Sequence, residues 1–186
     1  MMTVVTGGSG SGKSAFAEDK IVSFGPAKRI YIATMHPYDE ESHKRVARHR
    51  KMRAGKGFET VECYTGLKNL DFPENAVVLL ECMSNLLANE MFTEEGIRDE
   101  KEMVDKILKD ISSLIEQTAD GVIVSNNIFE DGENYDDAMA SYIKALGGIN
   151  QALAAMVDEV IEVVVGIPVT LKSQHEGSEG GQICEK

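Results

Sequence analysis

Three groups of residues in this 186-residue chain have the types and spacing of a chemical site. The first is Gly7-Gly8-Ser9-Gly10-Ser11-Gly12-Lys13-Ser14, which fits G-x-x-x-x-G-K-[ST] at every fixed position. Glycines let successive backbone N–H groups turn toward one anion, and the helix that follows aims its positive end at the same point. Lys13 then reaches the β- and γ-phosphates, and the Ser14 hydroxyl suits Mg²⁺. The pattern specifies a nucleoside triphosphate but not what is done with it. The second is Glu81, which ends the apolar run Val77–Leu80 and is placed to complete the Mg²⁺ site. The third is a basic island. Positions 43–56 hold Lys44, Arg45, Arg48, Arg50, Lys51, Arg53 and Lys56 and no acidic residue. Within it Arg45, His49 and Arg53 are four apart and share one face of a helix. Flanking cations disfavour imidazolium, a neutral imidazole can attack phosphorus, and guanidinium groups can offset charge on phosphoryl oxygens. Spacing leaves three readings of the island open: a solvated helix face, a nucleic-acid patch without interleaved aromatic residues, and phosphate binding with histidine nucleophilic catalysis. It does not exclude His43 as the reactive histidine.

Alternating strands and helices must position these groups. Strands are predicted over Thr3–Thr6, Arg29–Thr34, Thr60–Tyr64, Val77–Cys82, Gly121–Ser125 and Val160–Val165, several of them nearly continuous apolar runs suited to a parallel sheet covered on both faces. Helices are predicted over Ser14–Ser23, Glu40–Arg53, Glu100–Gln117 and Asp136–Val157. The last two carry apolar residues at three- and four-residue spacing, which is core packing. The fold class is therefore α/β, a mostly parallel sheet flanked by helices behind a P-loop. Residues 1–172 are read as one catalytic domain. Residues 173–186 are read as a flexible tail without catalytic function, rich in Gly, Ser and Glu.

Composition narrows the function classes. With 31 acidic and 19 basic residues the formal charge is −12, and outside the island 12 basic residues face 31 acidic ones, a balance of −19. That argues against a general nucleic-acid binder and for local capture of an anion. No apolar run approaches the roughly 20 residues needed to cross a bilayer. Cys63, Cys82 and Cys184 have no zinc or disulfide pattern. The expectation is a reduced, cytoplasmic protein without a signal peptide.

A collinear series of segments adds to this. Thr6–Ser14 is followed by Tyr31-Ile32-Ala33-Thr34, Asp39-Glu40-Glu41, Arg45-Val46-Ala47-Arg48-His49-Arg50, Glu62-Cys63 and Leu79-Leu80-Glu81-Cys82. Asn150-Gln151-Ala152-Leu153-Ala154, Asp158-Glu159-Val160 and Val165-Gly166-Ile167-Pro168 complete it. The chain resembles, over about residues 2–172, the bifunctional adenosylcobinamide kinase / adenosylcobinamide-phosphate guanylyltransferase family of cobalamin biosynthesis. The resemblance implies a P-loop NTPase with a RecA-like, mostly parallel sheet and two reactions at that one domain: phosphorylation of adenosylcobinamide by GTP or ATP, and transfer of GMP from GTP to adenosylcobinamide phosphate through a GMP–histidine. The matching histidine is His49. Arg45 and Arg53, with Lys51 assisting, would offset charge, and Thr34, His36 and Glu62 are candidates for ribose or guanine contacts. A carboxylate at Glu62 can accept from guanine N1–H and N2–H₂. The resemblance further implies Mg²⁺ and a homo-oligomer, a trimer, with no nucleic-acid partner and no membrane insertion. Two segments depart from the family pattern. Ser125-Asn126-Asn127-Ile128-Phe129 stands where many members have Thr-Asn-Glu-Val-Gly, and Ala138–Lys144 lacks their arginines. The departures fall on the kinase half; the guanylyltransferase motif is intact. Two other functions compete: a P-loop small-molecule kinase without a nucleotidyl intermediate, and a RecA-like nucleotide or nucleic-acid module, which would bind nucleic acid with steep salt dependence.

Overall fold

The computed structural model describes residues 1–127 and 135–174. Ile128 and Phe129 of the departing segment and the tail from residue 175, with Cys184, lie outside the described residues. A seven-stranded sheet forms the centre. Its strands are β1 (Met2–Thr6), β2 (Arg29–Ala33), β3 (Phe58–Glu62), β4 (Val77–Glu81), β7 (Asp120–Val124), β8 (Glu159–Val164) and β9 (Ile167–Ser173). The spatial order is β3-β2-β4-β7-β1-β8-β9, with every pairing parallel except β8–β9. One strand, β7, separates β1 from β4, which is the RecA-like arrangement. A two-stranded hairpin, β5 (Phe92–Thr93) and β6 (Gly96–Ile97), stands apart.

The sheet is apolar on both faces because alternate residues of each central strand serve different helices. Met2, Val4, Ile32, Val78, Leu80 and Ile123 pack with α3 (Met83–Met91), α4 (Glu100–Gln117) and α5 (Asp137–Met156). Val5, Tyr31, Leu79, Val122 and Val124 pack with Ala17 and Ile21 of α1 (Lys13–Ser23). The predicted apolar stripes of α4 and α5 supply core residues, among them Met103, Ile107, Ile111, Leu146, Ile149 and Leu153. Asp99 and Asp136 cap these helices by accepting the amides of Glu102 and Met139.

The helix α2 (Glu40–Arg53) differs from the rest. Asp39 and Ser42 form a reciprocal cap at its start, acidic residues fill the first turn and basic residues the last. Yet its one buried residue is Arg53. Polar contacts attach it: Arg53 against Tyr31 and Thr60, Arg50 to Glu62, and, just beyond its end, Lys56 to Glu18 and Asp19. An amphipathic stripe would have placed α2 on the sheet, whereas this basic helix stands over the ends of the strands.

Several elements differ from expectation. The strand predicted over Thr60–Tyr64 runs Phe58–Glu62 and pairs Arg29 with Phe58 and Ala33 with Glu62. It is an edge strand with little buried side-chain surface, so backbone pairing rather than apolar alternation sets its register. Helix α3 was not predicted, although Met83, Leu86, Leu87 and Met91 follow helical spacing; it begins directly after Cys82 and reads as a continuation of the apolar strand before it. Strand β9 was also missed, because Gly166 and Pro168 read as a stop. Val165 and Gly166 form a tight turn instead, with φ of 46° and 85°, and Pro168 pairs within β9.

Candidate active site

The loop Gly7–Ser14 leaves the carboxyl end of β1, the edge of an open α/β sheet where ligands bind. Gly12 caps α1 in a left-handed conformation at φ 94°. Gly7 has φ 148°, and a Cβ placed there would lie 2.5 Å from the Val163 carbonyl oxygen and 2.8 Å from Ser11 Oγ. The Ser11 carbonyl accepts from Gly166 N–H at 2.8 Å, which ties the loop to the β8–β9 turn. Gly7→Ala is therefore expected to distort the loop and to lower the thermal midpoint by roughly 3–10 °C, for a strain of about 1–3 kcal/mol. Thermal unfolding and triphosphate binding, measured together, check this.

Inside the loop, Lys13 Nζ donates to the Gly8 carbonyl at 3.0 Å. Burial pulls its pKa below 10.5, against the opposing pull of Glu81. Ser14 Oγ donates to Glu81 Oε1 at 2.6 Å, joining the loop on β1 to the end of β4. Glu81 Oε2 is buried with no partner. Burial pushes this carboxyl up to about 7, with the Ser14 hydroxyl and Lys13 opposing it.

Two adjoining cavities meet here. The larger, about 760 Å³, lies over Ser9–Ala15 and is walled by Lys44, Arg45, Arg48 and Met52 of α2 and by Asn126. It is within the roughly 300–1,000 Å³ typical of small-ligand pockets. The smaller, about 190 Å³, is walled by Tyr31, Met35, Pro37, Val46, Arg53, Glu62 and Tyr64. His49, Met35, Glu81, Cys82 and Asn85 line both. His49 thus stands where the larger cavity opens into the narrower one. Its Nδ1 is buried without a hydrogen-bond partner. Its pKa is held below 6.5, first by burial and then by Arg48, Arg53, Arg45 and Lys13. The direction is the one the flanking cations predict, but desolvation is the larger cause.

The other expected residues divide. Arg45 faces the larger cavity, with a 3.3 Å ion pair to Glu41. Arg53 faces the smaller one, stacked 4.0 Å over the Tyr31 ring with two of its nitrogens donating to Thr60 Oγ1. Glu62 also lines the smaller cavity; it accepts from Arg50 at 2.7 Å and from Tyr64 Oη at 2.8 Å. His36 is exposed, stacked on Tyr38 at 4.2 Å and tilted against Tyr64 at 4.6 Å. Like His36, which lines neither cavity, two further residues are not brought to the site. Lys51 is exposed and lines neither cavity, since two helical steps put it about 200° from His49. Thr34 is fully buried, and its hydroxyl donates to the Cys82 carbonyl at 2.8 Å and accepts from Cys82 N–H at 2.7 Å, so it faces the backbone rather than a ribose. His43 lines the smaller cavity but not the larger one.

Sequence reasoning missed Asn85, Asn126 and the use of Lys44 and Arg48. The basic residues could have been found, since 44, 48 and 52 repeat at the same four-residue interval one position before 45, 49 and 53. Asn85 and Asn126 sit in no pattern; tertiary structure alone converges them. In the departing segments, Asn127 N–H donates to Gly7 O at 3.2 Å, and Lys144 forms an ion pair with Glu100 at 2.9 Å.

The family described as "Cobinamide kinase / cobinamide phosphate guanyltransferase" matches residues 3–171 of this chain. The chain is 36% identical over 185 residues to the bifunctional adenosylcobalamin biosynthesis protein CobU of Escherichia coli (strain K12), covering 92% of this chain and 100% of that protein. It is 34% identical over 186 residues to CobU of Salmonella typhimurium, again covering 92% and 100%. With CobP of Pseudomonas aeruginosa, likewise called a bifunctional adenosylcobalamin biosynthesis protein, it shares 26% identity over 94% of this chain and 99% of the other. Among solved structures, the Pyrococcus horikoshii OT3 protein of Project ID PH0250 has the same fold, with a TM-score of 0.55 at 10% identity over 94% of this chain and 87% of that one.

Proposed function

The chain belongs to the cobinamide kinase / cobinamide phosphate guanyltransferase family and is a bifunctional enzyme of that class, and on that footing we propose that its guanylyl transfer proceeds through a GMP–histidine bond formed at His49. The observation that carries the proposal is the place of His49, an imidazole whose pKa burial and neighbouring cations lower and which lines both the larger cavity and the narrower one beside it. GTP lies with its β- and γ-phosphates on Gly7–Ser14, its α-phosphate at His49 and its base in the smaller cavity. A ring nitrogen attacks the α-phosphorus. The new N–P bond forms as the bond to the bridging oxygen breaks, and pyrophosphate leaves with the electron pair. A phosphate oxygen of adenosylcobinamide phosphate then attacks the same phosphorus and displaces His49, yielding adenosylcobinamide-GDP. Arg45, Arg48 and Lys44 face the triphosphate, where they offset charge on the transferring group and leaving pyrophosphate. Glu62 accepts from the guanine N–H donors.

The kinase half uses the same loop. Lys13 holds the γ-phosphate while it passes to the aminopropanol hydroxyl of adenosylcobinamide. Ser14 and Glu81 are the residues that would hold Mg²⁺, and the buried, unpartnered Glu81 Oε2 suits a hard cation bound by one carboxylate and phosphate oxygens. Such an ion neutralises phosphate charge. Among the described residues no cluster of three His, Cys, Asp or Glu offers an all-protein metal site. The homo-oligomer and cytoplasmic placement belong to the same proposal; among the described residues no helix is long and apolar enough to cross a membrane.

GTP labelled on the α-phosphate tests the intermediate. Protein denatured after incubation with Mg²⁺ and α-labelled GTP is expected to retain acid-labile, base-stable label on the peptide bearing His49, and cobinamide phosphate is expected to discharge it. Label passing only from the γ-position to cobinamide would leave a kinase without the intermediate.

A further inference from the structure

The smaller cavity has one wall built from two chain segments that leave the sheet side by side. Met35 and Pro37 follow β2, and Glu62 and Tyr64 lie at the end of β3 and just after it. The parallel ladder continues one step past these strands, where Cys63 N–H donates to Ala33 O at 3.0 Å. Beyond that step the carbonyls of Thr34 and Tyr64 need donors from elsewhere. A single amide supplies both. Asn89 Nδ2, late in α3, donates to Thr34 O at 2.8 Å and to Tyr64 O at 3.0 Å. The neighbouring Glu90, only 3% exposed, accepts Gly66 N–H at 2.7 Å and is paired with Lys106. Two consecutive residues of one helix thus fix the segment around Tyr64, and one of them also fixes the segment that begins at Thr34. Asn89 itself lines neither cavity.

We propose that Asn89 is a positioning residue for nucleotide-base binding: its side-chain amide sets the spacing between the Thr34–Pro37 and Glu62–Tyr64 segments, and hence the width of the cavity that takes the base. This rests on the placement of the base in the smaller cavity. The chemistry requires an amide. Both partners are carbonyl oxygens, so the site needs two N–H donors from one atom, and a carboxylate of the same shape would repel both. The wall also carries its own function-bearing contacts, since Tyr64 Oη holds Glu62 and the Tyr64 ring meets His36. A shift of the two segments would move the carboxylate that faces the base more than the phosphate loop, which rests on β1, α1 and the β8–β9 turn and meets β4 through Ser14 and Glu81.

The test separates the base wall from the phosphate grip. Capture of α-label is measured against GTP concentration for the unmodified enzyme, Asn89→Asp, Asn89→Ala and Glu62→Ala, each with inorganic tripolyphosphate as a competitor that has no base. The expected result for Asn89→Asp is a rise of about tenfold in KM for GTP with less than about threefold change in kcat and an unchanged inhibition constant for tripolyphosphate. Asn89→Ala, which opens the two carbonyls to water, is expected to show a smaller rise of the same kind, and it decides the matter if Asn89→Asp does not fold. A raised KM in Glu62→Ala with no change in the folded Asn89 variants would overturn the role of Asn89 while leaving the base in the cavity. No change in any of the three would overturn the placement of the base, and this inference with it. An equal loss of affinity for GTP and tripolyphosphate would also overturn it, because that is the mark of general loosening.

Discussion

His49→Ala abolishes capture of the α-label, a loss of roughly 10⁴-fold or more, while GTP affinity stays within about threefold and γ-phosphate transfer to cobinamide persists. The split follows from where His49 stands. In the proposed mechanism the triphosphate is gripped by Gly7–Ser14 and by Lys44, Arg45 and Arg48, which line the larger cavity and do not depend on the imidazole for their position. Among the described residues no other histidine lines the larger cavity: His43 lines only the smaller one and His36 is stacked outside it. Capture that persists in His49→Ala would move the nucleophile to one of these two. The same reaction has a pH signature. The reactive form is the neutral imidazole, and burial with four nearby cations holds its pKa below 6.5. Lowering the pKa extends the neutral form to more acidic solution, so the acid limb contributed by His49 lies below pH 6.5. Arg48→Gln removes the first of the cationic contributions and is expected to move that limb upward. The shift between the two profiles reports on His49, because the Glu81 carboxyl near 7 contributes to both.

Lys13→Ala is expected to impair both reactions, by roughly 10²–10³-fold in kcat/KM each. Lys13 is the cation within the loop, and its ammonium faces the same space as Glu81 and His49. Its removal takes away a donor to the terminal phosphates and also a charge that holds down the Glu81 pKa. In the proposed mechanism both half-reactions begin with the triphosphate on this loop, so neither escapes. Parallel assays of α-label capture and γ-phosphate transfer check the result. A variant that lost only one activity would show that the two reactions do not share the loop.

These two residues were legible without coordinates because their signals are local. A phosphate loop is eight consecutive residues between a strand and a helix. The face holding Arg45, His49 and Arg53 follows from helical spacing within nine residues. The alternation of apolar runs with amphipathic stripes likewise indicated a mostly parallel α/β sheet, since burial on both faces leaves its mark in each strand separately.

Other features depend on contacts between distant parts of the chain. Arg53 has the spacing of a free anion-binding guanidinium, yet it lies on Tyr31 and bonds to Thr60, because its helix packs against strands that no spacing rule names. Thr34 looked available to a ribose until the fold turned its hydroxyl onto Cys82. Strand β9 exists because Val165 and Gly166 adopt positive φ, which the Gly-Ile-Pro sequence alone did not signal. Asn85, Asn89 and Asn126 gained their places only when α3 and β7 were set beside the loop. Local sequence determined the reactive groups of this enzyme, because backbone spacing holds them within a turn or two. Tertiary structure decided their surroundings, because the depth of burial, the sharing of hydrogen bonds and the width of a cavity are set by pairs of residues tens of positions apart.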